Sequence, residues 1–185
     1  SYYETFFKDK GVGVVTLRAG NVIGGGDWSK DRLFPDIFKS LYLKEKLKIR
    51  NHNHSRPWQH VLDCLNSYLV IIERLHKKPE LFSSAWNIGP DKLKDQITVL
   101  DIIKKIKLKN INIKYKLVKN KFSNEKKLIN LSTKKIKKYF NLNTKLSIDQ
   151  SIDLTIEWFV KEFNKEDTYK ITLDQIKQYE NYTEK

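Results

Sequence analysis

The sequence predicts an α/β fold, and three observations carry that prediction. Short apolar or β-branched runs, at residues 12–17 and 85–88, read as buried parallel strands. Segments with apolar residues at helical spacing alternate with them. A run of three glycines, Gly24 to Gly26, breaks regular structure between a strand and a helix instead of closing a tight hairpin. Composition agrees: of 185 residues, 39% are hydrophobic and 31% charged, which excludes collagen-like and fully disordered chains. No stretch approaches the ~20 apolar residues of a membrane span, so no membrane partner is expected.

Tyr2, Tyr3, Phe6 and Phe7 place the end of a helix over residues 1–9. It lacks a capping residue and a run-in, so residue 1 reads as a cut, and the expected chain is a fragment. Gly11 and Gly13 turn the chain into the strand at 12–17. Residues 20–27 are expected as loop because consecutive glycines stop any element. Asp31 is expected to cap a helix over 33–44, with Leu33, Ile37, Phe38, Leu41 and Tyr42 inward. Residues 47–50 read as a short strand and 52–58 as polar loop. A helix over 61–76 would turn Leu62, Leu65, Leu69, Ile72 and Leu75 inward. Gly89-Pro90 ends the strand at 85–88. Thr98 caps a helix to residue 106, with Leu100, Ile103 and Ile106 inward. Alternation of Ile111, Ile113, Tyr115 and Leu117 makes 111–118 a strand. Ser132 and Ser147 cap helices reaching residues 140 and 163. Residues 164–185 read as a polar, loosely attached tail.

Charge is unevenly spread. Lys and Arg number 36 against 22 Asp and Glu, a formal net charge of +14. Between Lys104 and Lys138 lie 14 lysines and one acid, Glu125. One reading is a nucleic-acid-binding module. The plainer reading is a solvated lysine face: arginine is absent from the segment, and its aromatics (Tyr115, Phe122, Tyr139, Phe140) fit core positions. The single cysteine, Cys64, cannot form an internal disulfide, and residues 1–11 lack signal-peptide features, which points to the cytoplasm.

Several motifs are decoys. Gly11-x-Gly13 precedes a strand, so it is a turn and not a dinucleotide fingerprint. Tyr-x-x-x-Lys occurs at Tyr42/Lys46 and at Tyr115/Lys119, about as often as this composition supplies by chance. His52, His54 and His60 have a metal-like spacing but no nearby cysteine, and no metal is expected.

More informative is Arg56-Pro57-Trp58-Gln59-His60-Val61-Leu62-Asp63. An arginine fixed by a following Pro-Trp, ahead of a helix, suits a rigid phosphate clamp. Asn21 is expected at a strand's carboxyl end beside the glycine run, the edge where open α/β sheets bind ligands. Asn21, Arg32, Arg50, Arg56 and Asn87 are therefore candidates to converge on a diphosphate.

In this order and spacing, LRAGNVIGGGDW, DRLFPD, RPWQHVLD and WNIGP resemble the extended short-chain dehydrogenase/reductase family of NAD-dependent epimerases and dehydratases. Within it they are most similar to the branch that dehydrates CDP-glucose. The resemblance covers about residues 1–160. It implies the end of a Rossmann-type parallel sheet plus a small C-terminal substrate-binding α/β domain. Its implied boundaries are 1–30 for the end of the NAD-binding domain, 31–163 for the nucleotide-sugar domain and 164–185 for the tail. It further implies NAD as cofactor, CDP-glucose or a similar nucleotide sugar as substrate, a homodimer, and a place in surface-polysaccharide synthesis. The family's cofactor-phosphate loop and catalytic Tyr-x-x-x-Lys pair lie upstream of the point matching Ser1, so no catalytic residue is carried over and the isolated chain is expected to be inactive. Position by position, Asn21 and Arg56 would hold the diphosphate, and Arg32 and Leu33 would line the same loop. Arg50 would lie by the base or ribose, and Asn87 would support the diphosphate. Ala19 and Gly20 would pass near the nicotinamide. Another nucleotide-sugar epimerase, and a structural partner completing a separately encoded half, are the other readings.

Overall fold

The computed structural model describes residues 2–90, 97–118 and 126–182. Among them the chain forms three two-stranded parallel pairs surrounded by helices. After a short helix α1 (Tyr2–Phe6), strand β1 (Thr16–Ala19) pairs with β5 (Ala85–Ile88). Strand β2 (Asn21–Ile23) pairs with β4 (Trp58–His60), and β3 (Leu47–Ile49) with β6 (Tyr115–Leu117). Parallel pairing requires crossovers. Helix α2 (Leu33–Tyr42) lies in the connection from β2 to β4, and α3 (Val61–Lys77) and α4 (Pro79–Phe82) lie in that from β1 to β5. Helices α5 (Val99–Leu108), α6 (Lys134–Phe140), α7 (Ile148–Phe163) and α8 (Thr168–Glu180) complete the chain.

Two apolar clusters dominate. The larger joins Ile23, Phe34, Ile37, Leu47, Ile49, Ile102, Ile106, Ile152 and Phe159, drawn from β2, α2, β3, α5 and α7. The second joins Ile71, Phe82, Trp86, Ile88, Ile136 and Phe140 around β5. Reciprocal capping boxes, Thr98 with Asp101 and Ser147 with Gln150, start α5 and α7 where the sequence places them.

Other expectations are corrected. The first strand begins at Thr16 and runs to Ala19, later than 12–17. Residues 21–23 are strand, because β4 offers an extended partner: Asn21 N donates to Pro57 O at 2.9 Å. The 52–58 loop accordingly ends in strand β4. Asp31 does not cap α2; Arg32 occupies that position, and Asp31 sits at φ +62°. Ser132 does not cap α6 either; Thr133 takes its place, without a side-chain capping bond. The strand at 111–118 shrinks to 115–117, all exposed.

On α3 the inward face is not the leucine stripe. Leu65, Leu69 and Ile72 are exposed, while Asp63, Cys64, Ser67 and Ile71 are buried. The tail is not loose: α8 buries Ile171, Gln175 and Tyr179. Gln175 Nε2 donates to Leu154 O at 2.8 Å, and Trp158 Nε1 donates to Thr172 Oγ1 at 3.0 Å, fastening α8 to α7.

In the lysine-rich run, Lys119, Lys121, Phe122 and Glu125 lie outside the described residues. Its described lysines are exposed apart from half-buried Lys105. Phe140 is buried, but Tyr115 and Tyr139 are exposed, with the Lys107 and Lys138 ammonium groups 5.9 and 5.8 Å from their ring centres.

Candidate functional site

The carboxyl end of β2, the first turn of α2, the end of β3 and the approach to β4 enclose a cavity of about 660 Å³. That is the size of a small-molecule site, at the strand edge where α/β folds bind ligands. Its floor is apolar: Phe34, Leu47, Ile49 and Trp58 line it, with the Phe34 and Trp58 rings edge-on at 6.1 Å. The rim carries the charge. Arg32, Arg50, Arg56 and Lys48 line it together with Asp27, Asp31 and Asp36.

Sequence residues far apart meet here. Gly20, Asn21, Arg32, Leu33, Arg50 and Arg56 all line this one cavity. Ala19 and Asn87 are not among its lining. Asn87 is engaged elsewhere: its Oδ1 accepts from Arg18 Nε at 2.9 Å, and its Nδ2 donates to Ser132 O at 3.0 Å. Asn21 opens β2 instead of closing a strand, and it still faces the cavity.

Each arginine is held differently. Arg56 donates through Nη1 to the carbonyls of Ser55 (2.9 Å), Lys126 (3.1 Å) and Lys127 (3.4 Å). Its Nη2 lies 3.2 Å from His54 Nδ1; because guanidinium only donates, this His54 nitrogen accepts and the ring proton sits on Nε2. Arg32 Nη1 is 3.3 Å from Asp27 Oδ2, and Arg50 pairs with Asp31. Burial works against ionisation of Asp27, but hydrogen bonds from Ser29 and the Arg32 charge outweigh it and hold this carboxyl below its ordinary value. Burial, and then the Asp31 charge, push Asp36 up.

The glycines beside the cavity are set by packing. A Cβ on Gly25 would lie 2.0 Å from Trp158 Cγ, and one on Gly24 would lie 2.6 Å from Val61 Cγ1. Gly25 and Gly24 therefore leave room for α7 and α3 to pack onto their backbone, whereas Gly26 stands at φ +79°, the left-handed region that favours glycine. Gly20 is set likewise: its Cβ would be 2.3 Å from Pro57 O.

His60 is fully buried and caps α3, its Nδ1 accepting from Leu62 N at 3.3 Å; burial lowers its pKa to about 4, so it is neutral. No group of three or more His, Cys, Asp or Glu side chains is placed to hold a metal ion among the described residues. No helix among them is long and apolar enough to cross a membrane. Sequence reasoning missed Asp27, Asp31, Asp36, Lys48 and His54 as cavity residues. The one available signal was that Asp27 and Asp31 both closely precede Arg32, just after the glycine run.

Comparison with known proteins shows what this region is similar to. Residues 1–89 match the NAD dependent epimerase/dehydratase family. A stretch of 84 residues, 45% of the chain, is 51% identical to CDP-glucose 4,6-dehydratase of Salmonella typhimurium and spans 23% of that protein. Among solved structures, a similar fold is found in UDP-glucuronic acid 4-epimerase of Bacillus cereus, in complex with UDP-glucuronic acid and NAD (TM-score 0.72, 20% identity, 87% of this chain and 48% of that one). It recurs in dTDP-glucose 4,6-dehydratase of Bacillus anthracis, in complex with NAD (TM-score 0.70, 21% identity, 89% and 49%). At such identities these structures establish the α/β fold. The chain spans about half the length of each solved structure.

Proposed function

We propose that this chain is the nucleotide-sugar-binding portion of a dehydratase acting on CDP-glucose, with the cavity receiving the nucleoside diphosphate. The observation that carries this is the convergence of Arg32, Arg50 and Arg56, from three separate segments, with Asn21 around one cavity at a strand edge. Guanidinium forks match diphosphate oxygens in geometry as well as charge. The apolar floor suits the flat faces of a base and sugar. The 51% identity to CDP-glucose 4,6-dehydratase supports CDP-glucose over other nucleotide sugars.

The overall reaction would oxidise the sugar at C4, remove water across C5–C6 and reduce C6. NAD, when bound, supplies the hydride acceptor and donor for that sequence. Of this chain's residues, Ala19 ends β1, and Gly20, which follows it, lines the cavity. Neither carries a polar side chain, so they fit contact with a flat ring and contribute no charge. Edge strand β1 and the exposed α3 stripe of Leu65, Leu69 and Ile72 suit a surface covered by further α/β structure.

The test is calorimetric titration of the chain with CDP, alongside Arg56→Lys. Lysine keeps the charge and loses the fork. Binding by the wild type, weakened by about 1.5–3 kcal/mol in the variant at a temperature where both are folded, is the expected result. Equal affinity of the two proteins would remove Arg56 from the site, and absence of binding by the wild type would refute the reading.

A further inference from the structure

Two of the arginines around the cavity are paired with acids, and both of those acids come from one short loop, while Asp36 on α2 lines the cavity as well. Asp27 and Asp31 lie between β2 and α2 and reach Arg32 and Arg50. They differ in how firmly they sit. The Asp27 side chain is 31% exposed, and its Oδ1 accepts from Ser29 N at 2.9 Å, so the loop's own backbone anchors it. The Asp31 side chain is 73% exposed, and its backbone stands at φ +62°. Its partner Arg50 is itself 49% exposed. An ion pair this open holds weakly.

Carboxylate and phosphate compete for the same guanidinium edges. A diphosphate reaching Arg50 with Asp31 still in place would meet a fixed negative charge at contact distance. We propose that Asp31 is a stand-in anion: binding of a nucleoside diphosphate exchanges the Asp31 carboxylate for phosphate on Arg50, and Asp27 stays on Arg32 as the anchored end of the loop. This inference rests on the cavity taking a nucleoside diphosphate. It adds that affinity is set by the loop's acid as well as by the arginines. Asp31 thereby tunes binding without contributing a contact to the bound state.

Asp31→Asn is the variant of choice. Asparagine tolerates the left-handed backbone and removes only the charge. Titration of wild type and variant with CDP, and separately with inorganic pyrophosphate, reads the exchange. The variant is expected to bind both about 3- to 10-fold more tightly, with the gap closing as salt rises. Asp149→Asn carries the same charge change on α7 and is expected to leave both constants unchanged. A variant that binds no better than wild type, while wild type binds CDP, overturns the exchange and leaves the proposed function standing. Failure of both proteins to bind either probe overturns both. Binding by the variant alone also overturns the exchange, because the wild-type carboxylate would then exclude phosphate instead of yielding to it.

Discussion

Asp63 joins three parts of the chain that are distant in sequence, and removing its carboxylate should loosen all of them. It is 3% exposed in the first turn of α3. Its Oδ1 accepts from Lys145 N at 2.7 Å and from the Tyr179 hydroxyl at 2.9 Å, and its Oδ2 accepts from Leu146 N at 3.3 Å. Asp63→Ala strands two backbone amides and one hydroxyl. A buried donor left without an acceptor costs roughly 1–3 kcal/mol. A loss of about 3–5 kcal/mol in urea unfolding is therefore expected, together with faster proteolysis within α8, because Tyr179 belongs to that helix. Asp63→Asn keeps one acceptor and should cost about half as much. The pH arm has a defined sign. Burial pushes the Asp63 carboxyl above its ordinary value despite the three donors. The folded state then holds this proton more tightly than the unfolded state. The stabilisation is fully present below the ordinary carboxylate pKa and is lost as pH rises through the folded value. Asp63→Asn should abolish that slope. A loss below about 1 kcal/mol for Asp63→Ala would refute the account of Asp63 as the link between α3 and α8.

Two further outcomes follow from packing and exposure. Gly25→Ala puts a Cβ 2.0 Å from the Trp158 ring and should cost about 1–3 kcal/mol or more in thermal unfolding. Pairing it with Trp158→Ala should give a loss smaller than the sum, and strict additivity would show that the two do not touch. Replacing Lys114, Lys116, Lys126 and Lys134 together by Gln should change stability by less than about 1 kcal/mol, since all four are exposed; a drop above about 2 kcal/mol would mean that lysines on this face are structural.

What could be read from the sequence, and what could not, divides by the range of the interaction. The capping boxes at Thr98 and Ser147 are satisfied by residues three positions away, so the starts of α5 and α7 were legible. The arginines around the cavity were legible as chemistry, because only guanidinium offers a planar fork and few arginines exist to choose from. Their partners were not. The Arg50–Asp31 pair spans 19 positions and depends on where β3 brings Arg50 relative to the loop before α2. Asp31 consequently read as a helix cap when it is a counter-ion. The inward face of α3 failed for a related reason. Helical spacing finds an apolar stripe, but it cannot say which stripe meets the core. Here Asp63 is claimed by Lys145, Leu146 and Tyr179, the last 116 residues away, and that anchoring turns Cys64, Ser67 and Ile71 inward and leaves Leu65, Leu69 and Ile72 outside. The packing role of Gly25 was not legible either: the space beside it belongs to a tryptophan on α7, more than a hundred residues later. The chemistry of Asn21, Arg32, Arg50 and Arg56, which line one cavity, was thus legible. The acids that pair with Arg32 and Arg50 required the fold.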